Sequence, residues 1–124
     1  MGNQKQKILI IEDSPMFSDL LIQALNAYDC ILAASGEDAI DMIISETKPP
    51  AMVICDFYLP GLDGVETMKQ IKEIHPTIKW FLVSGAMKPD ELAEVAFKNR
   101  ADAYLAKPMK MEDLLKQVND LLEA

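Results

Sequence analysis

Cysteine and histidine are both scarce in this sequence. Its 124 residues include only two cysteines, Cys30 and Cys55, and a single histidine, His75. The cysteines have neither C-x-x-C spacing nor a flanking histidine, so neither a zinc site nor a redox motif is predicted. Both cysteines lie in apolar segments, which favours a protein that stays reduced in the cytoplasm.

Positive charge and long apolar runs are also in short supply. Twelve basic residues against twenty acidic ones give a formal net charge of −8. Nucleic acids and anionic membranes attract positive surface, so direct binding to either is not expected. No apolar run approaches the roughly 20 residues of a membrane-spanning helix. Half of the residues are nevertheless hydrophobic, which suits a single domain over residues 1–124 with its core in residues 7–122.

Five short apolar runs alternate with five amphipathic segments. The runs have the composition of strands buried on both faces of a parallel sheet, and they cover residues 7–11, 30–34, 51–55, 78–83 and 102–106. Ser14-Pro15 predicts a helix start, and Asp63 with Glu66 predicts a capping box. The helical segments carry apolar stripes that are predicted to face the sheet, and these stripes include Leu20, Ile44, Ile74 and Phe97.

This alternation predicts an α/β fold with a doubly wound, five-stranded parallel sheet. Crossovers between parallel strands are right-handed, which leaves the flavodoxin-like (βα)5 arrangement with strand order 2-1-3-4-5 as the natural topology. In that order the first and third strands meet at the switch point. Sheets of this kind bind their ligands there, at the carboxyl ends of the strands.

The residues that follow the strands are polar. Glu12 and Asp13 follow the first strand, Asp56 the third, Ser84 the fourth and Lys107 the fifth. Three carboxylates at one sheet edge repel one another unless a cation lies among them. Oxygen ligands with few carboxylates suit Mg²⁺, so a magnesium site is predicted at this edge.

A metal at this edge would make a phosphoryl group a plausible guest. Lys107 could neutralise one phosphoryl oxygen as a point charge, and the Ser84 hydroxyl could donate a hydrogen bond to another. A carboxylate in line with the phosphorus can attack it and form an acyl phosphate. Asp56, on the central strand, is the acid best placed for this attack.

Together with Leu59-Pro60-Gly61-Leu62-Asp63-Gly64 and Lys107-Pro108, this arrangement resembles the receiver (CheY-like) domain of two-component response regulators. The resemblance covers Lys7 to about Leu122. It implies that Asp56 accepts a phosphoryl group from a phosphohistidine of a histidine kinase or a histidine phosphotransfer protein.

The resemblance also implies a set of ligands for the site. Asp13, Asp56 and the backbone carbonyl of Tyr58 would bind Mg²⁺, and Glu12 would act through a water molecule. Glu12 departs from the family pattern, because aspartate is commoner there. Tyr58 is bulky at a position that can shield or admit attacking water, so it is expected to affect the lifetime of the phosphoryl group.

The resemblance further implies a conformational switch. Ser84 and Lys107 would hold the phosphoryl oxygens, with Ser84 moving toward the phosphoryl group and Tyr104, at the position of the switch aromatic, turning inward behind it. The surface around the fourth helix, fifth strand and fifth helix would then engage a downstream output partner or domain, with a homodimer as one possible assembly. Met16 and Ile22 form an apolar flank of the first helix that could dock a kinase or phosphotransfer helix, although ordinary partial burial also explains them.

Each site residue has a plainer interpretation. Asp13 could cap a helix, Ser84 could belong to a turn, Lys107 could be a surface lysine and Tyr104 a half-buried structural tyrosine.

The function also has alternatives. A degenerate receiver could serve only as a docking or dimerisation scaffold. A phosphatase of the haloacid dehalogenase type would need a second acid where the chain has Tyr58. The prediction is therefore a signalling switch, not an enzyme.

Overall fold

In the computed structural model, which describes residues 5–46 and 48–123, five strands alternate with five helices. In chain order the elements are β1 Lys7–Ile11, α1 Pro15–Ala24, β2 Asp29–Ala33, α2 Gly36–Ser45, β3 Met52–Asp56, α3 Gly64–Ile74, β4 Lys79–Ser84, α4 Pro89–Lys98, β5 Ala103–Ala106 and α5 Met111–Glu123. The strands pair in parallel in the order β2-β1-β3-β4-β5. The predicted fold class and strand order are therefore confirmed.

The helices cover both faces of the sheet and create two apolar clusters. One cluster packs strand side chains against α2, α3 and α4, and the other packs them against α1 and α5. Trp80 and Phe81 are neighbours on β4 and belong to opposite clusters, each with 0% of its surface exposed. Because side chains alternate along a strand, this pair shows that β4 is buried on both faces. β3 is buried along its whole length, so its carboxyl end is held in a fixed position.

The predicted capping box is present at the start of α3. Asp63 Oδ1 accepts a hydrogen bond from the Glu66 backbone N–H at 2.8 Å, and Glu66 Oε1 accepts one from the Asp63 backbone N–H at 2.9 Å. Ser14 is the N-cap of α1 with Pro15 following it, as predicted, but its side chain makes no capping hydrogen bond. Its backbone N–H instead donates to Glu12 Oε2 at 3.1 Å.

The prediction that every apolar stripe faces the sheet was wrong for one residue in each of four helices. Four stripe residues are exposed to solvent, with exposed fractions of 46% for Leu20, 66% for Ile44, 43% for Ile74 and 89% for Phe97. Each residue advances about 100° around a helix, so a side chain next in sequence to a buried one can point well away from the sheet. Ile44 and Phe97 follow the buried Ile43 and Ala96 in this way.

The apolar flank of α1 is exposed, with Met16 at 78% and Ile22 at 38%. Ordinary partial burial therefore does not describe Met16. Leu20 extends the exposed apolar surface of the same helix.

Candidate functional site

Asp56 is the last residue of β3 and is 7% exposed. Its two carboxylate oxygens have different partners. Oδ2 accepts a hydrogen bond from Lys107 Nζ at 2.9 Å, and Oδ1 accepts one from the Tyr58 backbone N–H at 3.2 Å. A buried strand thus presents one carboxylate at the sheet edge, fixed by an ammonium on one side and by the following loop on the other.

Glycine is required where the loop after β3 returns to start α3. The Gly64 backbone N–H donates to the Phe57 carbonyl oxygen at 2.7 Å. A Cβ atom at Gly64 would lie 2.5 Å from the Asp56 carbonyl oxygen and 2.8 Å from the Phe57 Cα. Both neighbours are backbone atoms, so a side chain here would displace the segment that carries the carboxylate. The same loop is tied to α2, because Glu37 Oε2 accepts a hydrogen bond from the Leu62 backbone N–H at 3.1 Å.

Glu12 and Asp13 follow β1 and meet Asp56 at the same edge. Ligand-competent oxygens of the three carboxylates all lie within 4.8 Å of one another. Glu12 is 3% exposed, whereas Asp13 is exposed. Burial, reinforced by the charge of Asp56, raises the pKa of Glu12 above its ordinary value, although a hydrogen bond from Lys107 acts in the opposite direction. The predicted clustering of these three acids is therefore present in the structure.

Lys107 follows β5 and reaches back across the sheet edge. Its Nζ donates to Glu12 Oε1 at 3.0 Å as well as to Asp56 Oδ2, so one ammonium bridges two carboxylates. Burial of this ammonium acts to lower its pKa, but the hydrogen bonds to Asp56 and Glu12 prevail and raise the pKa of Lys107 above its ordinary value. Its surface-lysine interpretation does not fit this geometry.

Ser84 is the last residue of β4, the strand next to β3 in the sheet. The residue is 0% exposed, and within residues 5–46 and 48–123 its Oγ has no hydrogen-bond partner. Its carbonyl oxygen accepts a hydrogen bond from the Lys107 backbone N–H at 2.8 Å. A buried hydroxyl normally has a partner, so a free Oγ at this edge suits a group that receives a ligand.

Tyr58 and Tyr104 take part less directly. Tyr58 joins the site through its backbone N–H, whereas the sequence prediction concerned its carbonyl, and its side chain is 52% exposed. Tyr104 pairs with Leu82 on β4 and is 41% exposed, an outward-facing tyrosine. Its role as a switch stays a prediction.

Sequence reasoning overlooked one neighbour of the site, Phe17 on α1. The Lys107 Nζ lies 4.0 Å from the centroid of the Phe17 ring. In the sequence this phenylalanine belongs to an apolar helical stripe. No local motif distinguishes it from a core residue, because the contact depends on how a lysine 90 positions later in the chain folds back.

The donor set of the site suits a hard divalent cation. All the side-chain ligand atoms contributed by Glu12, Asp13 and Asp56 are carboxylate oxygens, and such oxygens are the ligands that Mg²⁺ takes in proteins. Lys107 supplies a positive charge that can accompany an anionic guest. The arrangement can therefore hold a phosphoryl group between cations while one carboxylate faces it.

Comparisons with known proteins agree with this geometry. The family model described as the response regulator receiver domain matches residues 8–119. The chain is 33% identical over 126 residues to the nitrate/nitrite response regulator protein NarL of Escherichia coli (strain K12), an alignment that covers 96% of this chain and 56% of NarL. It is 32% identical over 116 residues to the probable C4-dicarboxylate response regulator DctR of Bacillus subtilis (strain 168), covering 90% of this chain and 50% of DctR.

This chain thus spans about half the length of these curated relatives. Among solved structures, a response regulator receiver domain protein from Clostridium thermocellum superimposes with a TM-score of 0.84 at 25% sequence identity. That superposition covers 95% of this chain and 94% of the other. In the part of the chain that the structure describes, no helix is both long and apolar enough to cross a membrane.

Proposed function

Because this chain belongs to the response regulator receiver domain family, we propose that it is a phosphoacceptor switch of a two-component or phosphorelay system. Asp56 receives the phosphoryl group from a phosphohistidine on a histidine kinase or a histidine phosphotransfer protein. The observation that carries this proposal is the position of Asp56, whose Oδ2 lies 2.9 Å from the Lys107 ammonium in a group of three carboxylates.

The transfer exchanges one bond to phosphorus for another. A carboxylate oxygen of Asp56 attacks the phosphorus, the bond between phosphorus and the imidazole nitrogen breaks, and its electron pair stays on that nitrogen. The products are an acyl phosphate on Asp56 and a free histidine. The Lys107 ammonium, which already touches Asp56, follows the negative charge to the phosphoryl oxygens, and the Ser84 hydroxyl donates a hydrogen bond to one of them.

The metal-binding residues of the proposal are Asp13, Asp56 and the Tyr58 backbone carbonyl, with Glu12 acting through a water molecule. Bound Mg²⁺ would supply positive charge that neutralises the carboxylates and the incoming phosphoryl oxygens. Glu12 already shares the Lys107 ammonium with Asp56 at 3.0 Å and 2.9 Å.

The signal leaves through the surface formed by α4, β5 and α5. We propose that Ser84 moves toward the phosphoryl group and that Tyr104, now 41% exposed, turns inward behind it. Such a movement would shift the balance between two conformations. Phe97, at 89% exposure on α4, gives this surface an apolar contact for an output partner or domain or for a second copy of the chain.

The test is incubation of the protein with Mg²⁺ and a small acyl phosphate donor such as acetyl phosphate, followed by intact-mass measurement. We expect one added phosphoryl group on the native protein and none on Asp56→Asn or when the metal is chelated. An unmodified wild-type protein that also fails to bind Mg²⁺ would point to a degenerate receiver that serves as a scaffold. Sustained turnover of a phosphomonoester would point to a phosphatase.

A further inference from the structure

In the part of the chain that the structure describes, Phe17 is the one aromatic residue whose ring faces the Lys107 ammonium of the proposed site. Its ring on α1 faces the Lys107 Nζ, with 4.0 Å between the nitrogen and the ring centroid. An ammonium within about 6 Å of a ring centroid is attracted by the negative face of the ring. Phe17 is partly buried and packs against the apolar cluster that α1 and α5 form with the sheet, so the ring is held in place.

Two different kinds of contact fix the end of the Lys107 side chain. Glu12 and Asp56 accept hydrogen bonds from its Nζ at 3.0 Å and 2.9 Å, and the Phe17 ring provides a weaker attraction from the helix. A lysine side chain has a flexible four-carbon stem, so its position depends on such contacts. When a phosphoryl group arrives, the hydrogen bonds to the carboxylates must be exchanged, whereas the ring contact does not need to break.

We infer that Phe17 is a positioning residue for Lys107, which it keeps beside Asp56 while the ammonium changes partners from carboxylate to phosphoryl oxygen. This inference rests on the proposed function, because it assigns Phe17 a part in that phosphoryl transfer. Phe17 acts on the transfer through Lys107, whose Nζ lies 4.0 Å from the ring centroid. Replacing the ring by an aliphatic side chain leaves the three carboxylates in place and removes the one contact that can persist while the ammonium changes partners.

The variants separate the ring from its apolar volume. Phe17→Leu removes the ring and keeps an apolar side chain, and Phe17→Tyr keeps a ring of the same size. Phe81→Leu is the matched control, because it makes the same substitution in the same apolar cluster at a residue that is 0% exposed. The control measures what loss of a core phenylalanine does without a change at Lys107.

The first measurement is the proton NMR shift of the Lys107 ε-methylene group in the unphosphorylated protein without metal. A ring facing the ammonium shifts these protons upfield. We expect that shift in the wild type, in Phe17→Tyr and in Phe81→Leu, and its loss in Phe17→Leu. An ε-methylene shift that is the same in the wild type and in Phe17→Leu overturns the inference, and this reading needs no phosphorylation.

The second measurement is the rate of phosphorylation by acetyl phosphate at saturating Mg²⁺, followed by intact mass. From the strength of a partly desolvated contact between an ammonium and a ring, Phe17→Leu should react about three- to tenfold more slowly, and Phe17→Tyr should react at nearly the wild-type rate. Equal rates for the wild type and Phe17→Leu, or an equal slowing in Phe81→Leu, overturn the inference and leave the proposed function intact. A wild-type protein that takes up no phosphoryl group overturns both.

Discussion

Replacement of Lys107 by methionine tests the electrostatics of the site in the resting protein. The substitution keeps the length of the side chain and removes the ammonium that bridges Glu12 and Asp56. The two carboxylates would then face each other with 2% and 10% of their side-chain surfaces exposed, against 20% for the lysine. The folded protein would therefore keep two poorly hydrated negative charges without their nearest counter-charge.

The cost follows from this burial. Removing one partner of a fully buried ion pair costs about 3–5 kcal/mol, and the partial exposure of Lys107 lowers the expected loss of unfolding free energy to about 2–3 kcal/mol. For a chain of this size that loss corresponds to a melting temperature lower by roughly 10 °C. Part of the cost is repulsion of Glu12, so in the Glu12→Gln background the same replacement should cost about 1–2 kcal/mol less.

The assay is urea unfolding at neutral pH with the metal chelated, followed by fluorescence of Trp80, which is fully buried and is the only tryptophan in the sequence. The wild type, Lys107→Met, Glu12→Gln and the double variant form a double-mutant cycle. Equal costs of Lys107→Met in the two backgrounds would show that Lys107 does not stabilise Glu12. An unchanged stability of Lys107→Met would refute the bridging role altogether.

Three further predictions concern backbone space, pH and thiol access. Gly64→Ala should lower the unfolding free energy measured in urea by about 1–3 kcal/mol, because the new Cβ meets two backbone atoms. The control is Gly85→Ala, whose Cβ would come no closer than 3.4 Å to the atoms around it and which should change the unfolding free energy by less than about 0.5 kcal/mol. Equal effects of the two substitutions would contradict the backbone contact at Gly64. Burial raises the pKa of Glu12, so between its ordinary value of 4.5 and its folded-state value the folded protein keeps a proton that the unfolded chain has lost. The unfolding free energy of the wild type relative to that of Glu12→Gln should therefore fall as the pH rises through that window. The measurement is urea unfolding with the metal chelated, and a difference that grows with pH would contradict a raised pKa of Glu12. Cys55 is 0% exposed and burial raises its pKa well above its ordinary value. A maleimide should therefore label the partly exposed Cys30 first and Cys55 only as fast as the protein unfolds, as followed by mass spectrometry. Labelling of both cysteines at the same rate would contradict this prediction.

The strand ends are the part of the site that the sequence predicted best. Each buried run ends on a polar residue, and right-handed crossovers leave few ways to arrange five parallel strands. Those two facts bring Glu12, Asp13 and Asp56 to one edge before any side-chain geometry is known. Their oxygens lie within 4.8 Å of one another in the structure, as this reasoning requires.

The contacts made by the ends of the side chains could not be predicted from the sequence. Nothing in the order of residues says that Lys107 bridges two acids rather than one, or that the ring of Phe17 lies 4.0 Å from its ammonium. These contacts depend on rotamers and on how closely α1 approaches the strand ends. Ser14 is a similar case, because its backbone N–H donates a hydrogen bond to Glu12 while its side chain does not form the expected capping hydrogen bond.

The burial of individual helix residues was predictable at the centre of each apolar stripe and not at its margins. Leu92 and Ala96 are buried on α4, whereas Phe97 is 89% exposed. Hydrophobicity alone favoured burial of this phenylalanine. Its place on the helix surface, set by about 100° of rotation per residue, decides the outcome.

The identity of the modified residue tests the account most directly. After reaction with acetyl phosphate and Mg²⁺, the protein is treated with hydroxylamine, which converts an acyl phosphate into a hydroxamate, and the peptides are mapped by mass spectrometry. We predict a hydroxamate at Asp56 and at no other carboxylate. A hydroxamate at Glu12 or Asp13, or a phosphoryl group that hydroxylamine does not remove, would contradict the assignment of Asp56 as the phosphoacceptor.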